Sequence, residues 1–274
     1  MKKLSLATAI VLLTGGIFFA ACNKTATTTQ TVGNTPTPQP TNELNYTKRT
    51  APVFLEITST GCGGCGSWGK PTFKSIVKER GNTITPLAVH IKYNDNMITY
   101  ESTDIGNNRY GQRYTPQLWV GDENAIVLNG NIDADASIKN INKLIDEAKA
   151  VTQPALAAKI VRTTDKIDLT YGVKFIDINP DGEYGLAAFL TEDGYKTYQV
   201  AAAVHPETHN NVIRKSAVGA FGEKFTGTDL KDMEKHWSHS FDISAYKESD
   251  MYITIILWKK DGNRYMPING MVVR

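Results

Sequence analysis

Residues 60–66 read Thr60-Gly61-Cys62-Gly63-Gly64-Cys65-Gly66. An apolar, strand-like run, Val53–Ile57, precedes this stretch, and a segment with helical potential, Ser67–Glu79, follows it. Two residues between the cysteines on a first helical turn bring the sulfurs within bonding distance. The first thiol then lies near a helix N-terminus, where free N–H groups and the helix dipole favour the thiolate. In this context the motif predicts a redox-active dithiol.

The sequence from residue 50 to residue 151 alternates between strand-like and helix-like patterns. The predicted strands are Val53–Thr58, Thr83–Ile91, Gln117–Val120 and Ala125–Leu128, and the predicted helices are Ser67–Glu79 and Asp135–Ala150. A polar stretch over residues 93–113 is expected to be a loop. Strand, helix, strand, then strand, strand, helix is the minimal thioredoxin-like order, so we expect an α/β thioredoxin-like domain over residues 50–151.

The pattern changes after Pro154 to short strands separated by turn signals such as Glu192-Asp193-Gly194. The predicted strands are Ala157–Thr163, Lys166–Phe175, Tyr184–Thr191, Tyr198–Val204, Trp237–Asp242, Tyr252–Lys259 and Met266–Val273. Roughly seven such strands indicate an all-β immunoglobulin-like sandwich domain, which we expect over residues 152–274.

The N-terminus has the form of an export signal. A basic start, Met1-Lys2-Lys3, is followed by an apolar run, Leu4–Phe19, and by Ala20-Ala21-Cys22. The small residues before a cysteine predict a lipoprotein signal over residues 1–21, with Cys22 lipidated and residues 22–49 forming a Thr/Pro-rich tether. The alternative is an ordinary secretory signal cleaved nearby. Either interpretation predicts an exported protein.

Cysteine usage, charge and motifs exclude several function classes. With Cys22 lipidated, two of the three cysteines remain, so in an oxidising compartment they form either a static disulfide or a cycling redox centre. No second Cys pair completes a zinc site, and Pro206 disfavours a metal-binding role for His205 and His209, so no metal is expected. The loss of Lys2 and Lys3 leaves 28 basic and 28 acidic residues. This balance gives no reason to expect nucleic acid, and no cofactor fingerprint is present.

The candidate catalytic residues follow from the dithiol. Cys62 is the expected nucleophile and Cys65 the resolving thiol. Glu56 lies in an otherwise apolar strand, so burial would raise its pKa and suit it to accept the Cys65 proton. Thioredoxin itself has a carboxylate at this offset. The alternative is that Glu56 points outward from an edge strand.

Thr115-Pro116 is the candidate substrate-binding element. A cis bond between these residues would pack Pro116 against the dithiol and leave backbone groups of Thr115 free to pair with an extended substrate. The alternative is an ordinary trans proline at the start of a strand.

The chain resembles the outer-membrane-protein-28-related lipoproteins of Gram-negative bacteria. The resemblance is carried by the lipoprotein signal, the CGGC motif and three further segments: Tyr114-Thr115-Pro116, His209-Asn210-Asn211-Val212-Ile213-Arg214-Lys215 and Gly219-Ala220-Phe221-Gly222. It implies a thioredoxin-like domain paired with an immunoglobulin-like one. Many relatives carry Pro where this chain has Gly64.

Two functions are compatible with these features. The first is an exported thiol–disulfide oxidoreductase, anchored to the outer membrane by the lipid on Cys22 and facing the periplasm or the surface. Its partners would be protein thiols or disulfides of the cell envelope. The second is a non-catalytic surface lipoprotein whose β-sandwich binds a protein or glycan, with Cys62–Cys65 as a structural disulfide.

Overall fold

The sequence around the two cysteines folds as a strand, a helical turn and a helix. A computed structural model describes residues 43–92, 94–108, 114–246 and 251–274, so Cys22, the predicted signal and most of the predicted tether lie outside the described residues. Strand β1 spans Val53–Thr58, and all six residues are buried. A π-helical turn, Cys65–Gly69, leads into helix α1 over Lys70–Arg80.

Strand β1 is flanked by two neighbours that run in opposite directions. It pairs in parallel with β2 (Thr85–His90) and antiparallel with β3 (Gln117–Val120), which continues into β4 (Glu123–Asn124). Helix α3 (Ala134–Lys149) packs with α1 on one face of these strands, where both helices contribute to an apolar cluster. The order β2-β1-β3-β4 with these two helices is the thioredoxin-like arrangement that the sequence predicts.

The remaining elements are mostly strands. They are helix α2 (Tyr100–Asn108) and strands β5 (Val127–Asn129), β6 (Asn131–Asp133), β7 (Ala155–Arg162), β8 (Lys166–Lys174), β9 (Glu183–Glu192), β10 (Tyr195–Thr197), β11 (Glu207–His209), β12 (Val212–Ser216), β13 (Glu223–Thr226), β14 (Glu234–Asp242), β15 (Met251–Asp261) and β16 (Arg264–Val273). No helix in the described part of the chain is long and apolar enough to cross a membrane.

One mixed sheet joins the N-terminal and C-terminal parts of the chain. Its strands follow the order β16-β15-β9-β12-β2-β1-β3-β4, with β13 also pairing with β9. The junction is the parallel contact of β12 with β2, where Val212 lies opposite Ala88 and the Ala88 N–H donates to the Asn211 carbonyl at 2.8 Å. Residues Glu43–Arg274 accordingly form one compact unit.

The core is divided between the two faces of this sheet. On one face, the three-stranded sheet β14-β8-β7 packs against β9 and β15. On the other face, residues of β1 and β2 share an apolar cluster with Phe189 of β9 and Trp258 of β15, both completely buried. Because side chains along a strand alternate between the two faces of a sheet, successive residues of β9 pack alternately into the two apolar clusters.

Three predicted elements differ from the structure. The strand expected over Ala125–Leu128 is replaced by β4, which pairs with β3, and by β5, which pairs with β6. The stretch expected to be a loop over residues 93–113 contains α2, whose start is fixed by reciprocal hydrogen bonds. The Thr99 N–H donates to Ser102 Oγ (2.9 Å) and the Ser102 N–H donates to Thr99 Oγ1 (3.1 Å), in the manner of a capping box.

The predicted strand Tyr198–Val204 is also wrong. The chain there forms a non-repetitive segment between β10 and β11. Ala201 has a positive φ of 59°, and the His205–Pro206 peptide bond is cis. Neither conformation belongs to a regular strand, and proline cannot donate to a ladder.

Candidate active site

The two cysteines of the CGGC turn are joined in a disulfide, with their Cα atoms 5.2 Å apart. Cys62 keeps 7% of its surface exposed, whereas Cys65 is completely buried. The Cys65 backbone N–H donates to Cys62 Sγ at 3.0 Å. In the reduced state this donor would favour a thiolate on Cys62, the sulfur that solvent can reach.

Pro116 lies directly against the turn. The Thr115–Pro116 peptide bond is cis, as the fold context predicts. A Cβ added at Gly64 would lie 3.1 Å from Pro116 Cδ, and one added at Gly69 would lie 2.6 Å from Pro116 Cβ. The ring therefore fills the space that a side chain at Gly69 would need. Thr115 is half-buried beside it.

Glu56 points into the protein from β1, because only 2% of its surface is exposed. Its Oε1 has no hydrogen-bond partner among the described residues. Burial raises the pKa of this carboxyl to about 7, even though the Lys70 ammonium and a hydrogen bond with Thr58 act to lower it. The outward-facing alternative for Glu56 is therefore wrong.

Two further buried residues continue from this carboxylate: the sequence did not single out Lys70, and it offered His209 only as a disfavoured metal ligand. Lys70, at the start of α1, is 6% exposed, and its Nζ lies 2.7 Å from Nδ1 of His209, which is 1% exposed on β11. Burial lowers the pKa of Lys70 to about 8, although the attraction of Glu56 raises it. Burial and the neighbouring Lys70 hold the pKa of His209 far below its usual range, so His209 accepts the hydrogen bond as a neutral ring.

A second buried pair continues this cluster. His90 Nδ1 lies 2.7 Å from Asp95 Oδ2, and the His90 and His209 rings meet edge to face at 5.4 Å. Burial lowers the pKa of His90. Burial acts to raise the pKa of Asp95, but the His90 hydrogen bond and two backbone N–H donors outweigh it, and the pKa is lowered. One of those donors is the N–H of Thr60, so the pair is tied to the chain just before Cys62.

Lys70 also lines a cavity of about 380 Å³. At its wall, Lys74 Nζ and Glu207 Oε1 form an ion pair at 2.5 Å. The lining residues are Gly66, Ser67, Lys70, Pro71, Lys74, Ala201, Ala203 and Glu207. The cavity is therefore lined by residues from both parts of the chain.

The sequence carried one usable signal for these residues. The parallel strands β1 and β2 end at the same edge, with Thr58 opposite His90, so polar residues that end buried strands there lie beside the CGGC turn. Lys70 and His209 gave no such signal, since one looks like a surface helix residue and the other is far away in sequence. No group of three or more His, Cys, Asp or Glu side chains in the described part of the chain is arranged to hold a metal ion.

Comparison with known proteins gives information about the fold and none about the activity. No protein-family model and no curated protein matches the sequence. HBP35 of Porphyromonas gingivalis is similar in structure, with a TM-score of 0.64 and 15% sequence identity over 82% of this chain and 75% of that chain. At this identity the likeness shows the fold alone.

A domain of the outer membrane lipoprotein Omp28 from Porphyromonas gingivalis is also among the structural neighbours. It is 16% identical over 45% of this chain and 88% of that chain, with a TM-score of 0.32. At this TM-score the match adds no argument about the fold.

Proposed function

We propose that the protein is a thiol–disulfide oxidoreductase of the cell envelope. The observation that carries this proposal is the asymmetry of the dithiol. Cys62 is partly exposed and receives a backbone N–H, whereas Cys65 is completely buried, and Pro116 packs against the turn that holds both. An attacking thiol must be accessible and favoured as a thiolate, whereas a static cross-link does not require this asymmetry.

The exchange proceeds in two balanced steps. The Cys62 thiolate attacks one sulfur of a partner disulfide, a new S–S bond forms, and the partner's second sulfur leaves as a thiolate that takes up a proton. Cys65 then attacks Cys62, which closes the Cys62–Cys65 disulfide and releases the first partner sulfur as a thiol. The partner gains two electrons and the protein loses two; run in reverse, the same steps oxidise a partner dithiol.

Glu56 and Thr115 take supporting roles in this proposal. Glu56 accepts the proton of Cys65, because a carboxyl with a pKa of about 7 can exchange protons near neutral pH. The backbone of Thr115 pairs with an extended partner chain. The partners are protein thiols or disulfides of the envelope.

The domain layout and the location form part of the same proposal. Residues 1–21 are the signal, Cys22 carries the lipid, residues 22–49 are the tether, and the thioredoxin-like and immunoglobulin-like parts cover residues 50–151 and 152–274. The packing of β14-β8-β7 against β9 and β15 supports a sandwich in the second part. The lipid would hold the protein at the outer membrane.

One observation favours the second function, a binding module with a structural disulfide. Cys62 is only 7% exposed, so a partner has little sulfur surface to attack. The experiment that separates the two functions is the reduction potential of the Cys62–Cys65 pair, measured by equilibration with glutathione and thiol alkylation. A potential of about −120 to −270 mV supports the oxidoreductase, and one below about −300 mV supports the structural bond.

A matched pair of variants tests the two sulfur roles. With Cys65→Ser the resolving step is lost, and we expect mixed disulfides on Cys62 to accumulate. Both variants also carry Cys22→Ser, and with Cys62→Ser we expect no such adduct, because the remaining Cys65 is buried. Equal adducts in both variants would overturn the assignment.

A further inference from the structure

The segment of residues 198–206, between β10 and β11, rests on the CGGC turn. The Val200 N–H donates to the Thr60 carbonyl at 2.8 Å. A Cβ added at Gly66 would lie 2.0 Å from Val200 O and 2.9 Å from the Ala202 nitrogen. The two backbones are therefore in direct contact, and this contact requires glycine at position 66.

Gln199 anchors the 198–206 segment. Its side chain is completely buried, and its Nε2 lies 3.1 Å from the Ser59 carbonyl, 3.2 Å from the Thr60 carbonyl and 3.0 Å from the Cys62 carbonyl. The Val200 carbonyl lies a further 3.4 Å from the same nitrogen, so four carbonyl oxygens converge on one amide group that has two hydrogens to share. An amide oxygen in that place would repel all of them, so the nitrogen must face the turn.

The 198–206 segment also lies beside Gly63, the residue that follows Cys62. A Cβ built on Gly63 would meet Val200 Cγ1 at 3.8 Å and Ala201 Cβ at 4.0 Å, so these side chains flank the residue next to Cys62. Elsewhere in the segment, Tyr198 and Val204 are 63% and 64% exposed. A partner protein that approaches from this side meets the segment before it meets the sulfur.

We propose that Gln199 is a positioning residue that holds the 198–206 segment against the CGGC turn and so restricts Cys62 to small or extended disulfides. This inference rests on the proposed function and names the class of partner for that same site. A disulfide recessed in a globular protein reaches Cys62 only when the segment lifts. Loss of the Gln199 hydrogen bonds makes the lifted state more populated.

The test compares a small and a bulky reagent of the same chemistry on a single thiol. The full chain carrying Cys22→Ser and Cys65→Ser keeps Cys62 as its one cysteine. The rate of Cys62 alkylation is measured with N-ethylmaleimide, the small reagent, and with a maleimide that bears a long polyethylene glycol chain, the bulky reagent. In this background we expect Gln199→Ala to raise the bulky-reagent rate about tenfold and the small-reagent rate by less than about twofold, since losing a hydrogen-bonded anchor of this kind shifts an open–closed equilibrium about tenfold.

Two further variants keep the result interpretable. Gly66→Ala pushes on the Val200 carbonyl and should raise the bulky-reagent rate in the same way, whereas Val204→Ser changes an exposed residue of the segment and should change neither rate. Thermal unfolding checks that each variant is folded. Unchanged rate ratios in both Gln199→Ala and Gly66→Ala would overturn the proposal, and so would equal increases with both reagents, which would indicate altered thiolate reactivity.

The outcome is separable from that of the proposed function. The rate ratio reports access to Cys62 whether or not the protein catalyses exchange. A reduction potential below about −300 mV in the unmodified protein would exclude the oxidoreductase function. The ratio of the two alkylation rates would still show whether the 198–206 segment limits access to Cys62.

Discussion

Glu56→Gln gives the sharpest test of the buried carboxyl. Burial raises the pKa of Glu56 from 4.5 to about 7 in the folded protein. The folded state therefore keeps a proton that the unfolded chain has already released between pH 4.5 and pH 7, so the free energy of unfolding falls as the pH rises through this window. At 1.36 kcal/mol per pH unit, the loss is about 3 kcal/mol by pH 8.

Glutamine is isosteric with glutamate and does not titrate, so the variant lacks this loss. Measured against the unmodified protein, Glu56→Gln should gain about 3 kcal/mol of relative stability between pH 4 and pH 8. The gain should build up between pH 4.5 and pH 7 and stay constant above that window. Its sign distinguishes a buried carboxyl with a raised pKa from an ordinary surface ion pair, which would give the opposite slope.

The assay is urea unfolding of the disulfide-bonded form at each pH, followed by tryptophan fluorescence. The oxidised form is used because neither cysteine of the disulfide can titrate. Glu79→Gln, on an exposed position of α1, controls for the loss of one carboxylate from the net charge. A stability difference between Glu56→Gln and the unmodified protein that stays constant from pH 4 to pH 8 would refute the reasoning.

Three further predictions follow from the same structure. Lys70→Met removes the ammonium that opposes the raised pKa of Glu56, so the fall in stability should extend above pH 7 in the same urea series. Asn269 is completely buried, and its side chain forms hydrogen bonds with four backbone groups. Asn269→Ala should cost about 2–4 kcal/mol, seen as a lower urea midpoint with an unchanged slope. Gly222→Ala would place a Cβ 2.0 Å from a backbone carbonyl oxygen and should lower the free energy of unfolding by about 3 kcal/mol or more. Gly262→Ala, at a similar positive φ but in open space, should lower it by about 1 kcal/mol. Thermal unfolding measures both changes.

The parts of the fold that the sequence predicted are those governed by local patterns. The run Val53–Thr58, the CGGC turn and the helix after it carry their signals within a few residues, and the structure has each of them close to its predicted bounds. The amphipathic helix over Asp135–Ala150 is likewise present. In all of these, hydrophobic periodicity and backbone chemistry indicate the same element.

The prediction was wrong where tertiary contacts override the local pattern. Tyr198–Val204 has the composition of a strand, yet its backbone is held on the CGGC turn by Gln199 and followed by a cis proline bond. The parallel contact of β12 with β2 is also invisible in a sequence, because it joins residues more than a hundred positions apart.

The buried polar cluster shows that the site includes residues far from the CGGC motif in the sequence. A carboxyl at Glu56 is costly to bury unless charged or polar groups accompany it, and in this protein the compensation comes from Lys70 and, behind it, His209. His209 lies on β11 and Gln199 lies in the segment that connects β10 to β11, and they contact Lys70 and the CGGC turn, respectively. Since the pKa of the carboxyl and the backbone of the CGGC turn each depend on the β10–β11 hairpin, the C-terminal strands are a structural component of the dithiol site.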